Sequence, residues 1–431
     1  MIILKRIALL FSLLLTLILV ACGGDGNNEN SNEPTNSDGE VVVEFWHAMS
    51  GPHEEVLNNL VDDFNQEHDH ITVNPVNQGS YDDLEQKVMA SARAKTLPTV
   101  SQAVPQMIPE YLDNDFLTPL DEFIEDEEIG LSEEDLEDFI EIFKESSTWD
   151  DKFYSMPFSK STTVLFYNTE ILEEHGFDVP ETWEDIREIS EEVSGDGLVG
   201  MGFENSFEAV FQSILLQLGG TYIDEETAEA KFNSPEGIEA LSFMNDMIDE
   251  GIARLAGEDD YMSEPFSRGD VAMYIGTSPG IAHVAEAAEG NIEWMTTSLP
   301  KTDGKGATPF QGNDLVIFDD AEQAEKEAAW LFLKYLTSPE VTAEWAMHTG
   351  YLPIRYSALE LEEFEQYLSE NPEFQSSVDQ FDDGFVIARI KGGNAARNII
   401  LEELEEVFLD RQTVEEALQA AEERSNEVLE K

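Results

Sequence analysis

The amino-acid sequence predicts an α/β protein that folds as two lobes from one chain. Apolar strand patterns alternate with amphipathic helix patterns in two series, one beginning near residue 41 and the other near residue 162. Such alternation predicts crossover units around a parallel sheet. Roughly 390 residues follow position 40, which is more than one hydrophobic core usually serves. The two series and this length together predict two α/β lobes.

The N-terminus has the features of a signal peptide that is removed from the mature protein. Lys5 and Arg6 precede a long apolar run, as in secretory signals. That run ends in Leu19-Val20-Ala21-Cys22, which resembles a bacterial lipobox, and Cys22 is the only cysteine of the chain. We therefore predict residues 1–21 as a lipoprotein signal peptide and Cys22 as the lipidation site. Two acyl chains on that cysteine would anchor the protein stably.

Residues 22–40 are predicted to form a flexible tether. After Cys22 they consist mainly of Gly, Asn, Ser and acidic residues, with no apolar side chain that could join a core. A single cysteine also excludes a disulfide framework. The expected arrangement is a soluble module held by lipid at the extracellular face of the cell membrane.

The charge of the chain is strongly negative, with 92 acidic residues against 23 Lys and Arg and a net charge of −69. This balance argues against nucleic acid, which needs a basic face. The simpler interpretation is a solvated surface suited to high salt, where self-repulsion is screened. An acidic surface that binds a partner is the alternative.

The first series of elements starts directly after the tether. Its helix pattern after residue 52 places Leu57, Val61 and Phe64 on one apolar stripe. The predicted elements in order are a strand at 41–47, this helix, a strand at 71–76, a helix at 81–95 and a strand at 97–104.

The second series repeats the alternation. Thr182 is predicted to start one helix, and Ser234 caps another that has Pro235 in its first turn. The predicted elements are strands at 162–168, 198–203, 271–275 and 315–318, helices from 182, at 207–218, 235–249 and 321–336, and a helical C-terminal region.

A catalytic motif is suggested by Gly276-Thr277-Ser278-Pro279-Gly280, which matches the G-x-S-x-G pattern of a hydrolase nucleophile elbow. The backbone N–H of the residue after such a serine helps to form the oxyanion hole, and here that residue is Pro279, which has none. Losing one such donor typically costs about 10² to 10³ in rate. The sequence therefore favours a non-catalytic role for Ser278.

Several segments carry a family resemblance. They include "VEFWHAMSG", "PFSKSTTVLFYN", "FSRGDVAMYIGTSPG" and "TSPEVTAEWAMHTGYLPI", in this order. From about Val41 to the C-terminus the chain resembles the extracellular solute-binding proteins of ABC importers. Within that family its closest likeness is to the glycerol-3-phosphate-binding members.

The resemblance implies a two-lobed periplasmic-binding-protein fold of the class II type, with a hinge and a ligand cleft between the lobes that closes on ligand. One lobe would comprise residues 41–158 and 292–338, and the other residues 159–291 and 339–431. It also implies a monomeric protein that is not an enzyme and has no cofactor or metal. Such a protein delivers a small molecule to the permease subunits of its transporter.

Six residues match ligand-contacting positions of that family: Tyr81, Ser161, Ser278, Gly312, Tyr351 and Arg397. The resemblance makes Ser278 a hydroxyl donor in the cleft and brings the Gly312 backbone close to the ligand. The simpler interpretations are a turn hydroxyl for Ser161, a half-buried core phenol for either tyrosine and a turn before a strand for Gly312.

Arg397 matches the phosphate-binding arginine of the family. Its guanidinium presents parallel donors that fit two phosphate oxygens, which an uncharged sugar would not need. This favours a phosphorylated ligand over a plain oligosaccharide. The simpler interpretation is an ion pair with the acidic residues just downstream in the sequence.

Two departures from the family concern the glycerol end of the ligand. Pro105 stands where the family has a glutamate that holds the glycerol hydroxyls, with Gln102 and Gln106 nearby. The tryptophan that packs on the glycerol in the family has no clear counterpart in this sequence, where Phe207 is the nearest aromatic residue. The expected ligand is therefore glycerol 3-phosphate or a glycerophosphodiester such as glycerophosphocholine.

Two other functions remain open from the sequence. One is an oligosaccharide-binding protein of the same fold, and the other is a secreted serine hydrolase that uses Ser278. The only segment that suggests a metal site is His68-Asp69-His70, and this segment is predicted to be a surface turn.

Overall fold

The computed structural model describes residues 40–259, 261–288 and 290–429. The predicted signal peptide, Cys22 and all of the predicted tether except its last residue lie outside the described residues. Among the helices of the described ranges, none combines the length and the apolar character that crossing a membrane requires.

The strands lie in two main sheets and two short hairpins. They are β1 (Val41–His47), β2 (Ile71–Asn77), β3 (Val100–Ala103), β4 (Thr148–Trp149), β5 (Lys152–Phe153), β6 (Met156–Ser161), β7 (Thr163–Asn168), β8 (Val199–Phe203), β9 (Ile223–Asp224), β10 (Glu229–Ala230), β11 (Ala253–Leu255), β12 (Val271–Thr277), β13 (Trp294–Thr297), β14 (Thr308–Ile317) and β15 (Gly384–Val386).

The helices cover both sheets. They are α1 (Pro52–Glu67), α2 (Tyr81–Ala94), α3 (Ile108–Asp113), α4 (Asp121–Ile124), α5 (Glu133–Glu137), α6 (Glu141–Ser146), α7 (Thr169–His175), α8 (Trp183–Val193), α9 (Glu208–Gln217), α10 (Pro235–Asp249), α11 (Ser263–Ser267), α12 (Gly280–Ala287), α13 (Gln323–Leu336), α14 (Pro339–Thr349), α15 (Tyr356–Leu359), α16 (Glu362–Glu370), α17 (Gln375–Asp379), α18 (Gly393–Phe408) and α19 (Val414–Val428).

The predicted helices with local signals form as expected. The α1 stripe of Leu57, Val61 and Phe64 is buried. Thr182 caps α8 through a capping box with Asp185. These contacts satisfy backbone N–H groups that have no partner within the helix.

Both main sheets are mixed, which corrects the expectation of parallel sheets. In the first sheet, ordered β15-β14-β3-β1-β2, strand β1 is parallel to β2 and β3, whereas β14 runs antiparallel to β3 and β6. In the second, ordered β11-β8-β12-β7-β13, strand β8 is parallel to β11 and β12, and β7 is antiparallel to β12 and β13. The parallel parts are those joined by crossover helices, as the alternation predicted.

The chain passes from the first sheet to the second between β6 and β7. Only Thr162 separates these strands, and β6 pairs with β14 while β7 pairs with β12. The strand pairing differs from the predicted lobe division at two points. Strand β13 lies in the second sheet although residues 292–338 were assigned to the first lobe, and β15 pairs with β14 of the first sheet.

Large hydrophobic side chains are buried against both sheets. One core cluster includes Phe45, Trp330 and Trp345, and continues to Phe166 and Tyr274 of the second sheet. Another surrounds α8, α9, α18 and α19, with Trp183 and Phe211 among its buried residues. Burial of such aromatic groups dominates the stabilisation of a core, at about 25 cal/mol per Å² of apolar surface.

Candidate functional site

Two tyrosine hydroxyls meet beside the β14 strand. Tyr81 is the first residue of α2, whose N-terminus is fixed by a capping box between Ser80 and Asp83. Asn313 donates a hydrogen bond from Nδ2 to the Tyr81 hydroxyl at 2.7 Å, and the Tyr81 and Tyr351 hydroxyls interact with each other. Burial raises the pKa of Tyr81 to about 12 and that of Tyr351 well above its usual range. Both phenols are therefore neutral hydrogen-bond donors at physiological pH.

Tyr351 is held rigidly behind α14. Its ring stacks on Trp345 at 5.7 Å with an interplanar angle of 13° and lies 5.5 Å from the His53 ring. Gly350, at φ 76°, ends α14 in the left-handed region, and a Cβ atom there would lie 2.6 Å from the Ser278 carbonyl oxygen. Glycine at this position lets the Tyr351 segment pack directly on the Ser278 turn.

Ser278 lies fully buried in the turn between β12 and α12. Its backbone N–H donates to the Thr162 carbonyl at 2.8 Å, and the Thr162 N–H donates to its Oγ at 3.4 Å. The strand–turn–helix context predicted by the G-x-S-x-G pattern is thus present. Within the described residues, however, no imidazole bonds the Ser278 hydroxyl, and the His283 ring packs instead against His53 at 4.8 Å.

Ser161 and Gly312 lie on the paired strands β6 and β14. Ser161 is buried opposite Gln311, and Gly312 lies opposite Lys160. Gly312 has φ 99°, and a Cβ atom there would be 1.8 Å from the Ser159 carbonyl oxygen. The residue therefore lies within a strand, not in the turn of the simpler interpretation, and its close backbone approach is to β6.

A buried ion pair supports this strand pair. Lys160 pairs with Asp314, and Asp314 also accepts hydrogen bonds from the hydroxyls of Ser155 at 2.7 Å and Ser147 at 3.2 Å. The pair lies at an irregularity in the strand register between Asn313 and Asp314. This irregularity adjoins Asn313, which bonds the Tyr81 hydroxyl.

Arg397 lines a small pocket. The pocket brings Gln106, which follows β3 of the first sheet, towards α9 and α18, which pack over the second. Its lining residues are Gln106, Glu208, Gln212, Tyr222, Ile223, Ile387, Ala388, Gly393 and Arg397. We call this the Arg397 pocket.

Arg397 forms an ion pair, but not with the acids just downstream. Its Nε donates to Oε1 of Glu208 at 2.6 Å, and Glu208 begins α9 far upstream in the sequence. The Arg397 side chain is 33% exposed and that of Glu208 6%. Among the described residues Glu208 is the only hydrogen-bond partner of this guanidinium, so its two terminal nitrogen groups keep their donors for a ligand.

Several carboxyl groups surround this pair. Burial raises the pKa of Glu208, while the Arg397 charge acts in the opposite direction. Burial also raises the pKa of Glu204 to about 8, with a smaller contribution from Glu208. Asp82, next to Tyr81 on α2, lies near enough to influence Arg397 electrostatically. The helix α2 that carries Tyr81 therefore lies near the Arg397 pocket.

Hydrogen bonds and ion pairs connect the helices of the two sheets near this pocket. Asn394 on α18 donates to Glu85 on α2 at 2.6 Å, and Lys391 lies 3.0 Å from Asp113 on α3. These contacts join the elements around Tyr81 to those around Arg397.

Five of the six predicted residues lie on or beside strands β6 and β14 and the Ser278 turn. The sixth, Arg397, lines the Arg397 pocket. Sequence reasoning missed Asn313, Glu208, Gln212 and Tyr222. Phe207, the aromatic residue nearest in sequence to the position of the family's tryptophan, packs against Phe408 at 5.0 Å and does not line the pocket. The only local signal for Glu208 was a carboxylate at the start of a helix in an otherwise apolar stretch.

Comparison with known proteins gives consistent results. A family model described as bacterial extracellular solute-binding protein matches residues 59–375. The sn-glycerol-3-phosphate-binding periplasmic protein UgpB of Pectobacterium atrosepticum is 26% identical over 407 residues, covering 90% of this chain and 91% of that protein. UgpB of Escherichia coli K12 is 25% identical over 413 residues, covering 91% and 94%.

Two solved structures are also similar. UgpB of Mycobacterium tuberculosis in complex with glycerophosphocholine has a TM-score of 0.80 at 23% identity, covering 90% of this chain and 98% of that one. A cyclic alpha-maltosyl-1,6-maltose binding protein of Arthrobacter globiformis has a TM-score of 0.75 at 25% identity, covering 90% and 99%. The mixed α/β fold of this chain is thus that of two-lobed solute-binding proteins.

Proposed function

The chain belongs to the bacterial extracellular solute-binding proteins, and from that premise we propose that it captures glycerol 3-phosphate or a related glycerophosphodiester for an ABC importer. Proteins of this family bind small molecules and deliver them to membrane permeases. The similarity to UgpB proteins supports a phosphate ester as ligand.

One observation carries the choice of ligand, namely the guanidinium of Arg397 at the pocket. Among the described residues only Nε has a hydrogen-bond partner, so the terminal nitrogens can donate to two phosphate oxygens at once. The Tyr81 and Tyr351 phenols are neutral donors, and the hydroxyls of Ser161 and Ser278 are the further donors that the family resemblance assigns to the ligand. We infer that these five residues, together with Gly312, contact the ligand.

A second candidate is an oligosaccharide ligand. The ion pair with Glu208 compensates the charge of Arg397, and a pocket of paired charges with Gln106 and Gln212 can also bind sugar hydroxyls. The similar structure from Arthrobacter globiformis is of a cyclic alpha-maltosyl-1,6-maltose binding protein. The hydrolase alternative has little support, because no imidazole of the described residues bonds the Ser278 hydroxyl and Pro279 has no N–H for an oxyanion hole.

Calorimetric titration of glycerol 3-phosphate, glycerophosphocholine and maltose tests the proposal. Arg397→Ala should weaken both phosphate esters by about 2 to 5 kcal/mol, because a buried phosphate loses its cationic partner. Arg397→Lys should restore part of this, since an ammonium lacks the planar fork. Arg411→Ala removes the same charge from an exposed ion pair with Glu406 and serves as the control.

The proposal fails if no phosphate ester binds the wild type. The oligosaccharide function then takes its place if maltose binds tightly and Arg397→Ala leaves that affinity intact. Thermal unfolding of each variant checks that the loss of binding is not a loss of folding, because Arg397→Ala leaves the buried Glu208 without its partner.

We also propose that the protein acts as a lipid-anchored monomer at the extracellular face of the membrane. The support for the anchor is the sequence Leu19-Val20-Ala21-Cys22, which follows an apolar signal core and contains the only cysteine. Diacylation of Cys22 would retain the binding protein near its permease.

A further inference from the structure

We propose that Glu208 forms a hydroxyl-binding subsite beside Arg397, and that this subsite selects phosphate esters whose neighbouring carbons carry hydroxyl groups. This inference rests on the proposed function and adds the residue that recognises the other end of the ligand. In this arrangement Arg397 binds the phosphate and Glu208 binds a hydroxyl group of the same ligand.

The two carboxylate oxygens of Glu208 have different surroundings. Oε1 accepts the hydrogen bond from Nε of Arg397 at 2.6 Å. Oε2 is buried and accepts no hydrogen bond from any other described residue, although the backbone N–H of Glu208 itself lies near enough to favour the charged carboxylate. The residue as a whole is 4% exposed and lines the Arg397 pocket. A buried polar atom without a partner is costly, so a ligand that donates a hydrogen bond to Oε2 would gain affinity there.

The partner that suits Oε2 is a hydroxyl group. An ionised carboxylate only accepts hydrogen bonds, so its ligand must be a donor, either a hydroxyl or an ammonium. The charge of Glu208 is already compensated by Arg397. An ammonium placed beside that guanidinium would be repelled by it, whereas a hydroxyl carries no charge.

The ion pair need not break when such a ligand binds. The bond between Nε and Oε1 leaves the terminal nitrogens of Arg397 for phosphate and Oε2 of Glu208 for a hydroxyl. The two groups are joined by that bond, so the phosphate and hydroxyl they bind lie close together in the ligand. Gln106, Gln212 and Tyr222 add neutral polar groups to the same pocket.

The test compares glycerol 3-phosphate with propyl phosphate, which has the same phosphate and carbon chain but no hydroxyls. Titrations use the wild type, Glu208→Gln and Glu208→Asp. Removing the carboxylate also frees Arg397, but this changes both affinities in the same way. The ratio of the two affinities therefore isolates the hydroxyl contact.

The preference for glycerol 3-phosphate should fall about 10-fold or more in Glu208→Gln, as expected for a lost hydrogen bond to a charged group. Glu208→Asp, which draws the carboxylate back by one methylene, should also lower it. Glu403→Gln is the matched control, since Glu403 is a buried carboxylate paired with Arg424 outside the pocket. Its ratio should match the wild type.

An unchanged ratio in Glu208→Gln overturns the subsite. Failure of the proposed function gives a different result, since no phosphate ester would then bind the wild type. In that case the inference is tested only by titrating maltose against the wild type and Glu208→Gln. Weaker maltose binding by Glu208→Gln supports a hydroxyl subsite, and unchanged maltose binding overturns it.

Discussion

His53 and His283 face each other between α1 and α12, with Tyr351 beside them. The two imidazole rings lie 4.8 Å apart, and the Tyr351 ring is 5.5 Å from that of His53. Burial, and then repulsion from His283, lowers the pKa of His53 to about 4, although the carbonyls of Thr349 and Pro279 act in the opposite direction. Burial also lowers the pKa of His283, against a weaker opposing effect of Glu286.

His53 should make the protein sensitive to acid. Its pKa is about 4 when folded and about 6.5 when unfolded, so its contribution to stability is present above pH 6.5 and is lost as the pH falls towards 4. The loss is at most about 3 kcal/mol. His53→Phe keeps an aromatic ring but removes the proton site, so its free energy of unfolding in urea should fall less between pH 7 and pH 4.5. The same pH dependence in both proteins would contradict this.

At the residue scale, sequence reasoning found groups but not all of their partners. Tyr81 and Tyr351 were chosen from the resemblance, and the structure brings their hydroxyls together. The simpler interpretation pairs Arg397 with acidic residues just downstream, whereas its ion-pair partner is Glu208, 189 residues away in the sequence. A pairing of this range depends on how α9 and α18 pack, which no local pattern records.

Among the elements, β14 shows how one glycine position fixes strand pairing. Gly312 adopts φ 99° and approaches the Ser159 carbonyl so closely that a Cβ atom would lie 1.8 Å away. The neighbouring residues Asn313 and Asp314 bond Tyr81 and Lys160, respectively. The local backbone of β14 therefore positions groups on both the cleft and the core.

Gly312→Ala should lower the free energy of unfolding in urea by about 3 kcal/mol or more, because it adds a clash with β6 to an unfavourable backbone angle. Gly219→Ala is the control, since Gly219 has φ 91° but a Cβ atom added there would meet no other atom within 4 Å. The control should cost only about 1 kcal/mol. Equal losses of the free energy of unfolding in the two variants would show that the close approach of Gly312 to Ser159 does not affect stability.

The elements that sequence reasoning predicted are those with a strong local signal. Strand β1 matches its predicted bounds, and α8 begins after its Thr182 cap. Strand β6 was missed, because "MPFSKS" has no alternation of apolar and polar residues and yet is buried throughout. Its Lys160 is buried because its side chain pairs with Asp314 of the neighbouring strand β14, and that pairing is also long-range.

For the whole molecule, the sequence predicted two α/β units but not the direction of every strand. The late strand β14 runs antiparallel to β3, and β15 returns to the first sheet from the C-terminal part of the chain. Such returns follow from the path of the chain between sheets and leave little trace in local periodicity. The lobe boundaries taken from the resemblance remain predictions.

The net charge of −69 makes the local donors of the cleft decisive for an anionic ligand. Charges on the surface repel a phosphate at long range, but salt screens them beyond about 8 Å at physiological ionic strength. Under the proposed function, the ligand within that distance would meet Arg397 and the neutral phenols of Tyr81 and Tyr351. The same surface charge would favour solubility at the high local concentration that the proposed lipid anchor implies.

The proposed lipid anchor would determine where the protein works, and it depends on the sulfur atom of Cys22. Cys22 supplies the only sulfur that could form the thioether, so Cys22→Ser should abolish labelling by fatty acid and should leave the protein unprocessed or released into the medium. A Cys22→Ser variant that also carries Ser31→Cys should remain unlabelled, because the cysteine must lie at the cleavage site after the apolar core. Both are checked by comparing membrane and soluble fractions after labelling. Unchanged membrane association of Cys22→Ser would show that something other than acylation retains the protein, since one acylated cysteine is the only lipid attachment that the signal sequence predicts.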